Sequence, residues 1–135
     1  MADSIFTKII HGDIPSHKIY EDDKTVAILD INPLSDGHVL VIPKIQVDKV
    51  YGLPDDDYTA LMTTVKKLAK HMERNLGARI GLVIEGSDVP HAHVHLVPMY
   101  DSEVLKLHHG YPVHTSEEDF VAIAKKLRLP NDLAK

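Results

Sequence analysis

Pro90-His91-Ala92-His93-Val94-His95-Leu96-Val97 places a histidine at every second position among small and aliphatic residues. In a strand, alternate side chains point to opposite faces, so His91, His93 and His95 project to one side and Ala92, Val94 and Leu96 to the other. Successive imidazoles then stand roughly 6 to 7 Å apart, twice the rise per residue, a spacing suited to gripping different atoms of one small ligand. The run opens a strand expected over Ala92 to Met99. A further strand, Arg79 to Glu85, precedes it across the short polar turn Gly86-Ser87-Asp88-Val89-Pro90.

Toward the N-terminus the pattern stays short and β-branched. Lys18-Ile19-Tyr20-Glu21, Thr25 to Ile31 and His38 to Ile42 read as three strands, with Asp22-Asp23-Lys24 as a hairpin turn and Asn32 to Gly37 as a loop. Ahead of them, Ser4 to Gly12 reads as a short helix capped by Ser4, with Ile5, Phe6, Ile9 and Ile10 as its apolar stripe. The longest regular signal runs from about Pro54 to Leu76. There Tyr58, Leu61, Met62, Val65, Leu68, Ala69, Met72 and Leu76 recur at helical spacing, Asp55, Asp56 and Asp57 suit the positive end, and Gly77 suits a left-handed stop. Its methionines read as core.

Beyond Met99, a long loop with His108-His109-Gly110-Tyr111-Pro112 leads to a last helix. That helix carries the capping-box order Thr115-Ser116-Glu117-Glu118 and an apolar face of Phe120, Ile123, Ala124 and Leu127. Pro130 stops it, and the tail from Pro130 to Lys135 is expected to fray. The expected architecture is α+β: a five-stranded antiparallel meander with one long and two shorter helices, in a single domain over residues 1–135.

The 135 residues, 44% hydrophobic and 26% charged, suit one compact core. No apolar run spans a bilayer and no secretory signal opens the chain, so the expected location is the cytoplasm. With no cysteine, any metal site must use histidine and carboxylate. A net charge of −5 argues against broad attraction to nucleic acid but leaves room for a small anionic ligand held by local donors. From the residues alone, the aligned imidazoles allow water, a metal ion (with His38, and Glu85 and Asp88 nearby in sequence) or a phosphate as partner.

The run His91 to Val97 resembles the histidine triad family. The resemblance extends, in the family's order, through Ile5 to Ile10, Ile14-Pro15, Tyr20 to Asp23, Ala27 to Ile31 and Gly37 to Lys44. It is most similar to the branch of histidine triad nucleotide-binding proteins. The resemblance implies a HIT-like fold, a homodimer, a purine mononucleotide ligand, no cofactor or metal, and hydrolysis of nucleoside phosphoramidates at the α-phosphate through a nucleotidyl-histidine intermediate. His93 matches the nucleophile. His95 would contact phosphate or the departing group, and His91 and His38 would support and orient the nucleophile. Asp30 matches the ribose-binding carboxylate, and Phe6, Ile9, Ile14, Ile28 and Ile31 fall where the family builds its base pocket.

One segment departs from the branch. Ile84 stands where an asparagine is expected, and the Gly-Gln-Ser connection before the first histidine is missing. Gly86 and Ser87, through their backbone N–H groups, and Ser87 and Asp88, through their side chains, are the candidates to meet phosphate instead. The runner-up activities are dinucleoside polyphosphate cleavage, nucleotide binding with little turnover, and histidine-based metal binding.

Overall fold

The computed structural model describes residues 2–102, 104–105 and 114–130. The expected His108 to Pro112 loop and the tail beyond Pro130 lie outside the described residues. The elements are α1 (Ile5–Ile10), β1 (Lys18–Glu21), β2 (Thr25–Leu29), β3 (Val39–Pro43), α2 (Asp55–Leu76), β4 (Arg79–Val83), β5 (Val94–Met99) and α3 (Glu117–Leu127). A 3-10 turn at Val50–Gly52 precedes α2. No helix among the described residues is long and apolar enough to cross a membrane.

The five strands form one antiparallel-paired sheet in the order β1-β2-β3-β5-β4. The first three make the expected meander; the last two do not continue it. α2 spans about 33 Å at 1.5 Å per residue, enough to carry the chain back along the sheet. Thus β4 runs in the same direction as β3, one strand removed, and β5 turns back into the gap. Burial accounts for the exchange: Val94, Leu96 and Val97 of β5 are fully buried, whereas Leu82 of β4 is 50% exposed and suits an edge.

The sheet separates two apolar clusters. Ala27, Val39, Val41, Ala92, Val94 and Leu96 meet Leu61, Val65, Leu68 and Met72, the three- and four-spaced stripe of α2. Tyr58 and Leu76, at the ends of that stripe, are only partly covered, 44% and 39% exposed. Met72 is core, and Met62 packs against it. On the opposite face, Val26, Ile28, Leu40 and Ile42 pack with Phe6 and Ile9 of α1. That face carries the histidines.

β5 begins two residues later than the alternation suggested. Continuing its register with β3, Val41 opposite Val94, would bring Ala92 opposite Pro43, which has no N–H to give. The backbone N–H of Ala92 bonds Val47 O at 2.7 Å instead, and His91 N–H bonds Val89 O at 2.8 Å. The facing rule survives outside the ladder. Similarly β2 ends at Leu29, ahead of the expected Ile31, and the chain then turns on Asp30, whose Oδ1 accepts the Asn32 N–H at 2.8 Å.

Both short helices are capped by serine. Ser4 Oγ accepts the Thr7 N–H in α1; in α3 Ser116, one position later than the expected Thr115, accepts the Asp119 N–H. Gly77 ends α2 at φ 66°, the left-handed conformation that disfavours a side chain. The apolar face of α3 is not packed on the sheet: Phe120, Val121, Ile123 and Leu127 are all exposed.

Candidate active site

The hydrogen-bond partners settle which nitrogen of each neutral imidazole carries the proton. His91 Nε2 lies 2.8 Å from Pro43 O, which can only accept, so that nitrogen is the donor. Nδ1 of His91 therefore accepts, from the Ser4 hydroxyl at 2.6 Å. The N-cap of α1 thus also anchors a fully buried histidine. Gln46 ties the same corner together, its Oε1 accepting from Ser4 N–H and the Thr7 hydroxyl and its Nε2 donating to Ala2 O.

His91 O, 2.8 Å away, accepts from His93 Nδ1. This leaves the Nε2 of neutral His93 with a free lone pair. The ring is 6% exposed and held edge-on between Phe6, at a centroid distance of 4.9 Å, and His95, at 5.0 Å. A second chain of donors starts at the Leu34 N–H, which bonds His38 Nδ1 at 3.0 Å. His38 must then carry its proton on Nε2, 2.9 Å from His95 Nδ1 and 3.5 Å from Asp30 Oδ2. With Nδ1 accepting, His95 keeps its N–H on Nε2. One imidazole therefore offers a lone pair, and its neighbour offers a donor.

Burial pushes His38, His91 and His95 below the ordinary histidine range. The Asp30 carboxylate opposes this at His38, and the bond to Pro43 opposes it at His91. At His95 the neighbouring His93 and His38 add to the lowering, against Asp30 and Glu85. Below about pH 6.5 the unfolded chain consequently binds more protons than the folded one. Stability contributed by these groups is complete above that value and is lost as the pH falls toward the lowered folded values. The limit is about 1.4 kcal/mol per pH unit for each proton. Urea melts between about pH 5 and 8 should show the loss beginning above the range where carboxylates protonate; a profile flat to pH 5 would contradict the buried neutral rings.

A cavity of about 340 Å³ opens beside His93 and His95 and is lined by Phe6, Asp30, Asn32, Leu40, Asp88 and Val89. Of the residues expected to hold a nucleotide, Phe6, Asp30, Gly86 and Asp88 line it. Ile9 and Ile28 belong to the apolar cluster with Phe6, and Ile14 packs against that cluster. Ile31 is 81% exposed on the loop after β2. Ser87 lines a neighbouring cavity. Asn32, Leu40 and Val89 were not singled out by sequence. Leu40 becomes visible only through strand pairing, which sets it opposite both Ile28 and His95.

The turn before the histidines is arranged differently from expectation. Glu85 Oε1 accepts the Gly86 N–H at 3.0 Å, the Ser87 N–H at 2.7 Å and the Ser87 hydroxyl. The backbone donors expected to meet phosphate are therefore taken by an internal carboxylate. These Ser87 bonds hold the Glu85 carboxyl below its usual range.

Among the described residues, Asp30, His38 and His95 bring ligand atoms within 4.8 Å of one another, close enough to share a cation. Coordination through His38 Nε2 would move its proton to Nδ1, where it would face the Leu34 N–H, donor against donor. The hydrogen bonds of this trio thus favour a proton relay geometry over a metal-ready one.

A directed imidazole lone pair, a neighbouring N–H donor and an adjoining cavity with a carboxylate are groups that can serve nucleophilic chemistry on a small, polar ligand. The HIT domain family model matches residues 11–102, and the chain belongs to the histidine triad family. Among curated relatives, adenosine 5'-monophosphoramidase HNT1 of Candida albicans is 37% identical over 99% of this chain and 93% of its own length. Among solved structures, a HIT family member from Bacillus subtilis has TM-score 0.82 and 30% identity, covering 96% of this chain and 99% of that one. The histidine triad nucleotide-binding protein of Candida albicans has TM-score 0.78 and 34% identity over 98% of both chains.

Proposed function

We propose that the chain is a nucleotide hydrolase or transferase acting at the α-phosphate of a purine nucleotide, and specifically a nucleoside phosphoramidate hydrolase. The observation that carries the reading is the His93 Nδ1–H bond to His91 O, which aims a free Nε2 lone pair out of an otherwise buried ring. In the first step that lone pair attacks phosphorus and the P–N bond breaks. The amine departs with a proton from water, leaving hydroxide and a nucleotidyl group on His93 Nε2. In that intermediate the ring is cationic, and its Nδ1–H bond to His91 O strengthens as the charge forms. His95 Nε2–H meets the charge developing on the phosphate. Hydroxide then attacks phosphorus, His93 leaves neutral, and the nucleoside monophosphate is released.

Asp30 fits a ribose diol, since a carboxylate accepts from two hydroxyls, and Phe6 offers an apolar wall to the base. The Candida phosphoramidase supports an adenosine substrate. Mass spectrometry of enzyme quenched in base during turnover tests the reading: one nucleotidyl group on His93 is expected. Turnover with no adduct at any time would mean that water attacks directly.

The assembly follows as part of the same proposal. Two copies pair, as the resemblance implies, and the exposed Phe120, Val121, Ile123 and Leu127 of α3 are apolar surface that a second copy would cover. Sedimentation at micromolar concentration should give the dimer mass; a monomer would refute it.

A further inference from the structure

A second cavity, of about 550 Å³, shares only Glu85, Gly86 and His93 with the one that contains Asp30 and Phe6. A substrate with its phosphorus at His93 therefore has two separate chambers for its two halves. On the reading above, the nucleoside half occupies the smaller chamber, and the larger remains for the group that departs. Its walls combine apolar surface from Val50, Ile84 and Pro90 with the carboxylates of Asp48 and Glu85. The one cation, Lys49, lies 5.8 Å from the centre of the Tyr51 ring, where the aromatic face shares its charge. Two carboxylates against one ammonium leave this chamber with a net negative lining.

Glu85 stands where the chambers meet, and its geometry is that of a presented group. All three of its hydrogen bonds, from Gly86 N, Ser87 N and Ser87 Oγ, converge on Oε1. Oε2 makes none among the described residues, so the carboxylate is fixed by one oxygen and keeps the other for a ligand. The same bonds remove the turn's N–H groups from service to an anion. An additional phosphate in this chamber would meet the carboxylates of Asp48 and Glu85 and find the N–H groups of Gly86 and Ser87 already bonded, which disfavours dinucleoside polyphosphates.

We propose that the 550 Å³ cavity is the leaving-group chamber and that Glu85 makes it selective for departing amines that carry a positive charge. The inference rests on the phosphoramidate hydrolase reading, and a matched series separates the two. Three adenosine phosphoramidates of equal chain length would carry a terminal ammonium, hydroxyl or carboxylate on the departing amine. The expected order of kcat/KM is ammonium, hydroxyl, carboxylate, with roughly fivefold steps from one charge interaction near water, expressed mainly in KM. The steps should shrink as salt is raised. Glu85→Gln keeps an acceptor for the turn while removing the charge, and should bring the ammonium-to-hydroxyl ratio close to one; Glu85→Asp should retain part of it. Equal turnover of all three by the unaltered protein, or an unchanged ratio in Glu85→Gln, overturns the assignment while leaving the hydrolase reading intact. No turnover of any of the three overturns both.

Discussion

His93→Ala is expected to lower kcat for phosphoramidate hydrolysis by about 10⁴-fold, with nucleotide affinity changed only a few-fold. The size follows from the absence of a substitute. The other imidazoles near the phosphate are committed: both nitrogens of His91 are bonded to Pro43 O and Ser4 Oγ, and His95 holds its accepting nitrogen toward His38. None can rotate to present a lone pair without giving up a buried hydrogen bond. Affinity is spared because Asp30, the proposed ribose partner, pairs with His38 and not with the lost ring, and Phe6, the proposed base wall, stays anchored in its own apolar cluster when its edge contact to His93 goes. The comparison is made by single-turnover kinetics and by titration with nucleoside monophosphate, with thermal melts to show that the fold persists. Turnover within a factor of ten of the original would remove His93 from the role of nucleophile.

The histidine face was legible because period-2 alternation is a local property: Ala92, Val94 and Leu96 had to point into the core, which put the imidazoles on the other side. The long helix was legible for the same reason. The order of β4 and β5 was not, since either strand of a hairpin can face β3, and the choice depends on which one buries more apolar surface. Ser4 was readable as an N-cap, but its bond to His91 joins residues 87 positions apart, and no local pattern announces such a pair. Ile31 is the converse case. It sits next to Asp30 in an apolar stretch, yet β2 ends before it and the turn leaves it facing outward. Glu85 was read as the last residue of a strand, but β4 stops at Val83, and that the Glu85 carboxylate takes the turn's own N–H groups depends on the folded path of three residues. A charged group beside consecutive backbone donors is the one available hint.

His95→Ala should cost about 10²-fold in kcat, the usual effect of deleting one donor to a developing oxyanion, and the loss should be similar for weakly and strongly basic leaving amines. The second half of this expectation comes from placement. His95 lines the smaller cavity with Asp30 and Phe6 but not the larger one, so its Nε2–H is positioned for a phosphate oxygen on the nucleoside side. A neutral imidazole whose Nδ1 already accepts a hydrogen bond is also a weak acid, better suited to donating a hydrogen bond than a proton. On the proposed mechanism, His38 acts through it. The Leu34 N–H fixes the His38 proton on Nε2, which in turn fixes the His95 proton on the nitrogen that faces the substrate. His38→Ala leaves the His95 ring free to take either tautomer and should cost less, about tenfold; the double variant should be no slower than His95→Ala alone. Additive losses would mean that His38 touches the reaction by a separate route. A loss that grows with the basicity of the departing amine would place His95 on the leaving group instead, and would require the proton to travel along the His38 relay.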